Sequence, residues 1–302
     1  MAHATKHPAP YAPNPRHTPA LRDRRVLITG AARGIGAGLA DLLTAHGARV
    51  AVAGLEPDLL REVASRNDAP WRECDVSDPD AVDRAVAELV EELGGLDVVV
   101  ANAGIAKQLP IIGGQPGVME AHLAVNTLGV FYTLRAAGPH ISHPRGYALA
   151  TASLAAAVQL PLLGAYSASK AAVEAIGNTF RQEVRPSGAK VGVAYYSELD
   201  TDMTSRGFAT EAGTRLTGGG TVSGVAPVSC AMKALERGIA RRSRRIAAPF
   251  WVPPIVPARA IAQRVIELKP LPHLVESLEI ARREVVEYTT RQPDDARHLE
   301  QP

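Results

Sequence analysis

Short apolar runs alternate along the chain with longer stretches whose apolar residues recur every three to four positions. Arg25–Thr29 (RVLIT), Arg49–Ala53 (RVAVA), Leu96–Ala101 (LDVVVA), Gly146–Thr151 (GYALAT) and Lys190–Tyr195 (KVGVAY) are apolar runs of strand length. Continuous runs of this kind mark strands buried on both faces. Trp71–Cys74 reads as a shorter strand, and Ile246–Val252 (IAAPFWV) as a last, edge strand. Helices are predicted over Ala37–His46, Asp58–Ser65, Pro79–Leu93, Met119–Ala137 and Val228–Arg237, and from about Tyr166 onward. In Pro79–Leu93 the residues Val82, Val86, Leu89, Val90 and Leu93 line one side, and Gly94-Gly95 stops the helix. Strands alternating with helices at this spacing predict a parallel sheet covered on both faces. Right-handed crossovers make it a doubly wound α/β fold of about seven strands.

Ligands of such folds lie outside the carboxyl ends of the strands. Gly30–Gly36, Asp75, Asn102, Ser153 and Tyr196–Met203 all fall at those ends, which predicts a single site. The turn Gly30-Ala-Ala-Arg33-Gly34-Ile35-Gly36 sits between a strand and a helix inside a βαβ unit, the setting of a dinucleotide phosphate loop. Gly30 allows the tight turn, Gly34 lets backbone approach a pyrophosphate, and Gly36 permits close helix–strand packing. The helix N-terminus adds N–H groups and the positive end of its dipole.

Tyr166 and Lys170 are four residues apart and share one face of a helix, with Cβ atoms about 5–6 Å apart. A neighbouring ammonium favours phenolate and lowers the tyrosine pKa, which makes a proton donor and acceptor usable near neutral pH. Asn126 falls mid-helix, where its propensity is poor, so a local polar task is expected there. Asp75 suits either a nucleotide contact or a cap for the helix at Pro79. Ser153 suits a turn cap as well as a substrate contact, and Asn102 suits a bridge between strands.

The 302 residues allow one large domain or two small ones. We divide them into a disordered N-terminal arm (1–20), a dinucleotide-binding and catalytic domain (21–250) and a C-terminal helical extension (251–302). The arm is rich in proline, and its His3, His7 and His17 are expected in a solvated tail rather than a metal site. Hydrophobic residues make up 46% and charged residues 21%, an ordinary globular balance, and the net charge of +2 gives no reason to expect nucleic acid. Cys74 and Cys230 form neither a disulfide framework nor a ligand cluster; reduced core thiols and no metal are expected. No apolar run reaches the length of a bilayer span and the arm has no secretory apolar region, so a cytoplasmic protein is expected. Thr204–Gly224, rich in Gly, Thr and Ser, reads as a mobile loop or short helices. Arg241–Arg245 (RRSRR) reads as a solvated basic turn beside a packed Phe250–Trp251 pair.

Taken together, Thr29-Gly30-Ala-Ala-Arg33-Gly34-Ile35-Gly36, Asn102-Ala103-Gly104, Asn126, Ser153 and Tyr166-Ser-Ala-Ser-Lys170, in that order, resemble the short-chain dehydrogenase/reductase family. The resemblance is close from about Arg25 to Met203 and matches the single-domain branch. It implies a Rossmann-like fold and an NAD(P)-dependent oxidoreductase acting on a carbonyl/alcohol pair. The implied catalytic set is Asn126, Ser153, Tyr166 and Lys170. Tyr166 would be the general acid/base and Lys170 would lower its pKa and bind the nicotinamide ribose. Ser153 would bond the substrate oxygen, and Asn126 would hold a water linking Lys170 to a proton relay. Implied cofactor contacts are Gly30, Arg33, Gly34, Ile35, Gly36, Asp75, Val76, Asn102, Ala103, Gly104, Tyr166, Lys170, Leu199, Thr201 and Met203. Arg33 and the absence of an acid at Gly54 make NADP the expected cofactor, with NAD the alternative because no Arg or Lys directly follows the strand and Glu56 could reach a ribose.

The family usually carries Pro-Gly after the sixth strand, where this chain has Tyr196-Ser197. A Tyr196 ring beside the nicotinamide would narrow the pocket. Leu154, Val158, Leu160, Leu163 and parts of Thr204–Gly224 are expected to line it, and no cation is placed to hold a carboxylate. A neutral hydrophobic ketone or secondary alcohol is therefore expected. The resemblance also implies a homodimer or homotetramer through the Asn126 and Tyr166 helices; the small apolar face of Ala171, Ala175 and Thr179 suits close helix approach there or packing within the subunit. The alternatives are an isomerase or dehydratase on the same scaffold and a non-catalytic nucleotide sensor.

Overall fold

The computed structural model of the chain describes residues 19–207, 210–218, 223–285, 288–290 and 292. His3, His7, His17 and nearly all of the proline-rich arm lie outside the described residues, as do parts of Thr204–Gly224.

Arg25–Thr29 forms β1, Arg49–Gly54 β2, Trp71–Glu73 β3, Val98–Ala101 β4, Tyr147–Thr151 β5, Lys190–Tyr196 β6 and Arg245–Ala248 β7. They make one sheet in the order β3-β2-β1-β4-β5-β6-β7, every pair parallel. Strand order reverses between β1 and β4, whose register sets Val26 beside Val98 and Ile28 beside Val100. The doubly wound α/β fold expected from the sequence is therefore present.

Successive strand residues point to opposite faces, and each face has its own helices. Leu27 of β1 joins a core with Val82, Val86 and Leu89 of α3 (Pro79–Leu93), Leu134 of α5 (Gly129–Ile141) and Val173 of α6 (Gly164–Glu183). Val26 and Ile28 join the opposite core with Leu39 of α1 (Gly34–Ala45), Leu60 of α2 (Pro57–Asn67) and Met232 of α9 (Val228–Arg241). Each fully buried Leu in these layers contributes roughly 1.5–3 kcal/mol. Helix α3 runs over the residues its pattern predicts. Asp78 caps it by accepting from Asp80 N at 2.9 Å, and Gly94 ends it in the left-handed region at φ 71°.

Three stretches differ from the sequence expectation. The helix expected over Met119–Ala137 runs from Pro116 to Ile141, but in three pieces: α4 (Pro116–His122), a π turn over Leu123–Leu128, and α5. The wide turn carries Asn126, and such turns recur at functional positions. The edge strand expected over Ile246–Val252 stops at Ala248 because Pro249 has no N–H for the ladder. The turn after it sends Phe250 outward, 91% exposed, while Trp251 packs inward, so the two do not form a packed pair.

Beyond β6 lie α7 (Asp202–Gly207) and α8 (Glu211–Thr217), and beyond β7 lie α10 (Val252–Ile255), α11 (Arg259–Glu267) and α12 (Leu274–Arg283). Val252 and Val256 belong to the same core as α3 and α6. Helices α8 and α12 meet in a separate small cluster of Leu162, Ala212 and Leu216 with Leu271, Leu274 and Leu278. Among the described residues, no helix is long and apolar enough to cross a membrane, and no group of His, Cys, Asp and Glu has the spacing of a metal site.

Candidate active site

The turn after β1 is built from glycines that have no substitute. Gly30 and Gly34 have φ of 65° and 56°, in the left-handed region. A Cβ on Gly30 would lie 2.5 Å from Ala103 Cα, and one on Gly36 would collide with the Gly30 carbonyl oxygen. Gly34 instead faces open space, with only Thr201 Cγ2 within 4 Å, at 3.9 Å. The turn is thus packed on one side and open on the other, which suits the approach of a pyrophosphate to backbone and to the start of α1. Asn102 locks it from β4: its Nδ2 donates to Gly30 O (3.1 Å) and Thr29 O (3.3 Å), and its N–H donates to Thr29 Oγ1 (3.2 Å). The expected strand bridge is therefore present.

Asp75 is not the cap of α3, a task taken by Asp78. Its Oδ1 accepts from Ser77 N (2.9 Å) and Ser77 Oγ (2.7 Å), a local turn that holds it on the cavity wall beside Val76. Arg33 is engaged on both sides. Its Nε donates to Glu56 Oε2 at 2.8 Å and its Nη1 to Asp202 Oδ2 at 2.9 Å. Burial opposes the guanidinium charge, but the two carboxylates outweigh it and raise the pKa. Glu56 also accepts from Thr290 Oγ1 at 3.0 Å.

The residues expected to transfer the proton stand at the other end. Tyr166 and Lys170 lie in the first two turns of α6, both buried, with Lys170 Nζ 5.8 Å from the centre of the phenol ring. Lys170 Nζ donates to Thr151 O at 3.0 Å, and burial pulls its pKa down to about 8. Tyr166 does not have the lowered pKa that the spacing suggests. Burial raises it, and a hydrogen bond with Ser153 only partly offsets this. The reason is solvation: both groups are buried, and the loss of water opposes the phenolate. Ser153 follows β5; its Oγ donates to Tyr196 O at 3.4 Å and accepts from Ala155 N at 3.2 Å.

Asn126 is wholly buried. Its Oδ1 accepts from Ile105 N (2.7 Å), and its Nδ2 donates to Ile105 O (3.0 Å) and Ser169 Oγ (2.9 Å). Ser169 Oγ in turn donates to Tyr166 O at 2.8 Å. The side-chain N–H groups of Asn126 thus tie the segment after Gly104 to α6. A histidine the sequence did not single out stands beside them. His122 is fully buried, its ring edge-on to Tyr166 with centroids 6.3 Å apart. It accepts from Lys107 N at Nε2 (3.1 Å) and donates from Nδ1 to Val118 O (2.7 Å), and burial lowers its pKa. The ring is neutral, with its proton on Nδ1.

One cavity of about 670 Å³ joins the two ends. Of the site residues expected from the sequence, all but Gly36 and Asn126 line it, including Ile35, Ala103, Leu154, Leu163, Leu199, Thr201 and Met203. Gly36 and Asn126 act from behind the wall. Tyr196 borders the cavity, but its side chain belongs to the core on the α1 and α9 side, and its hydroxyl has no hydrogen-bond partner among the described residues. Strand alternation puts it there: Tyr195 faces the α6 side, so Tyr196 faces the other. Its ring is therefore packed largely in that core where it borders the cavity. The wall includes residues sequence reasoning missed: Trp251, Ile255, Val265 and Ile266 from α10, α11 and the turn before them, and Thr289, Thr290 and Gln292 farther on. The amphipathic pattern of α11 signals a helix but not the cavity that Val265 and Ile266 border.

The sequence matches the family model described as short chain dehydrogenase over residues 24–212. The chain belongs to this family and is an oxidoreductase of that class. It is 33% identical over 196 residues to L-2,3-butanediol dehydrogenase of Corynebacterium glutamicum, covering 59% of this chain and 76% of that protein. It is 30% identical over 202 residues to trans-4-hydroxycyclohexanecarboxylate dehydrogenase of Sinomonas cyclohexanicum, covering 62% and 78%. Among solved structures it resembles a short chain dehydrogenase from Burkholderia cenocepacia in complex with NADP. That match has a TM-score of 0.67 and 27% identity, and covers 76% of this chain and 97% of the other. The packed and open sides of the glycine turn, with the carboxylate-bearing end of β2 beside it, fit a nicotinamide dinucleotide, NAD or NADP.

Proposed function

We propose that the protein transfers hydride between a nicotinamide dinucleotide and a carbonyl/secondary-alcohol pair in a neutral, apolar substrate. The observation that carries this reading is the single cavity with the glycine turn at one end and Ser153, Tyr166 and Lys170 at the other. Gly30, Gly34 and Ile35 would hold the pyrophosphate. Asp75 and Val76 would meet the adenine, and Asn102, Ala103, Gly104, Leu199, Thr201 and Met203 would flank the nicotinamide half. When bound, the nicotinamide supplies the hydride for reduction or takes it in oxidation.

The chain's own residues manage the proton. In reduction Tyr166 gives its hydroxyl proton to the substrate oxygen while Ser153 Oγ donates a hydrogen bond to the same oxygen. Lys170, protonated, stabilises the phenolate that results. Asn126 is a positioning residue: it fixes the Ile105 backbone and, through Ser169, the carbonyl of Tyr166. Burial keeps Tyr166 protonated at neutral pH, as reduction requires.

The substrate class rests on the wall near Tyr166, formed by Leu154, Val158, Leu160, Leu163, Trp251 and Ile255. Arg33 and Lys170 are the lining cations among the described residues; one is held by two carboxylates and the other is a catalytic group. The ratio of NADP to NAD use is set by Glu56, because a 2′-phosphate reaches Arg33 only by displacing that carboxylate. Assembly through the Asn126 and Tyr166 helices is supported by exposed Leu128 and Phe131 on one and exposed Ala171, Ala175 and Thr179 on the other. Sedimentation of the full chain reads the oligomer directly.

The test of the catalytic reading is initial rates on a panel of neutral ketones with NADH and NADPH, wild type against Tyr166→Phe. The variant is expected to lose about 10²–10⁴-fold in kcat with unchanged unfolding. Equal turnover in the two proteins would refute the assigned role.

A further inference from the structure

The chain beyond α12 runs into the nucleotide end of the cavity. Arg282 Nε donates to Ile112 O at 3.0 Å, and the Glu284 carboxylate accepts from Glu211 N (2.6 Å) and Ala212 N (3.1 Å) at the start of α8. The end of α12 and the residue after it are thus tied to Ile112 and to the start of α8. Farther on, the Tyr288 ring lies 6.2 Å from that of His122, with Lys107 Nζ 5.2 Å over the Tyr288 ring centre. His122 is the ring that abuts Tyr166. Two residues later Thr290 donates to Glu56, and Thr289, Thr290 and Gln292 line the same cavity as the glycine turn. The segment therefore reaches from the neighbourhood of the catalytic tyrosine to the carboxylate after β2.

A carboxylate at the end of the second strand is where a dinucleotide fold receives the hydroxyls of the adenosine ribose. Thr290 offers Glu56 that same group, a neutral hydroxyl at hydrogen-bond distance. Its neighbour fits less well: Thr289 Oγ1 is buried with no hydrogen-bond partner among the described residues. A segment that satisfies the site at one residue and leaves a polar group stranded at the next is suited to leave when a better ligand arrives.

We propose that the segment bearing Tyr288, Thr289, Thr290 and Gln292 is an autoinhibitory strap that occupies the dinucleotide cleft, with Thr290 standing in for a ribose hydroxyl. The cofactor must expel it to bind. This rests on the reading that the cavity takes NAD or NADP. The apparent affinity for cofactor is then the intrinsic affinity multiplied by the fraction of chains with the strap out. Weakening the strap raises that fraction.

The test uses the full chain and two measurements that need no turnover. Hydrogen exchange is compared with and without saturating NAD or NADP, and cofactor Kd is measured for wild type, Thr290→Ala and Thr290→Ser. Cofactor is expected to slow exchange at residues 30–36 and to speed it in the peptide carrying Tyr288 to Thr290. Thr290→Ala is expected to tighten Kd about fivefold, the effect of one lost hydrogen bond, whereas Thr290→Ser stays near wild type. Slower exchange in the strap with cofactor bound, or a Kd that is unchanged or weaker in Thr290→Ala, overturns the strap and leaves the cofactor reading intact. No protection at residues 30–36 in any of the three proteins overturns both.

Discussion

Lys170 is kept at a cost that can be measured. The side chain is 3% exposed and donates to one carbonyl, Thr151 O. Its pKa falls from 10.5 to about 8 on burial, while the unfolded chain keeps the ordinary value. At about 1.36 kcal/mol per pH unit, this gap amounts to about 3 kcal/mol. Between pH 8 and 10.5 the unfolded chain binds more protons than the folded one, so unfolding free energy rises with pH across that window. Below pH 8 the full penalty stands. Replacing the ammonium by an isosteric apolar chain removes it. Lys170→Met is therefore expected to be more stable than wild type at pH 7, by about 3 kcal/mol less about 1 kcal/mol for the lost bond to Thr151 O. The advantage should shrink as pH rises toward 10, because wild type sheds the penalty and the variant has none to shed. Urea unfolding of both proteins without cofactor, in half-unit steps from pH 7 to 10, reads this directly. Groups common to both cancel in the difference. A difference that stays flat with pH, or a variant less stable than wild type at pH 7, would refute the reasoning. Turnover should vanish in the variant, which would mark Lys170 as a residue that gives up stability for chemistry.

Two further substitutions test the rest of the site. Asn126→Ala strands the N–H and C=O of Ile105 and loses the tie to Ser169, and is expected to cost about 3–5 kcal/mol in urea unfolding together with a lower kcat. A cost under about 1 kcal/mol would mean that these bonds are replaced by water. Glu56→Gln leaves Arg33 with one carboxylate instead of two, and is expected to raise the NADPH-to-NADH ratio of kcat/KM about tenfold. An unchanged ratio would place the 2′ position away from Arg33.

The parallel sheet is readable because the five inner strands, β2, β1, β4, β5 and β6, are buried on both faces and so appear as apolar runs. The glycine turn was readable because its φ values and close contacts admit no other residue. Tyr166, Lys170, Ser153 and Asn102 followed from their places at strand ends and on one helix face. What periodicity does not carry is tertiary pairing. Nothing in Arg33 or Glu56 as letters says that they face each other with Asp202 behind. For Tyr196, position after a strand does not give direction, and alternation along β6 turns much of its ring toward the core on the α1 and α9 side. The lowered tyrosine pKa was expected from charge alone, and burial, which depends on the whole fold, won. Tyr288 and Thr290 sit far along the chain from the motifs, in a stretch with no periodic signal, so their arrival in the cleft is visible only in three dimensions.

The small cluster between α8 and α12 has a consequence of its own. It shares no buried residue with the two cores that hold the sheet. Among the described residues the helices it joins add nothing to the cavity wall, whereas Tyr166 and Lys170 are rooted in α6 beside the main core. Sequence change can therefore accumulate at Leu216, Leu271, Leu274 and Leu278 with little effect on the packing that holds Tyr166 and Lys170. The outer helix pair and the site are separable in this architecture, and exchanging the α8–α12 cluster between relatives is expected to leave the cavity wall intact.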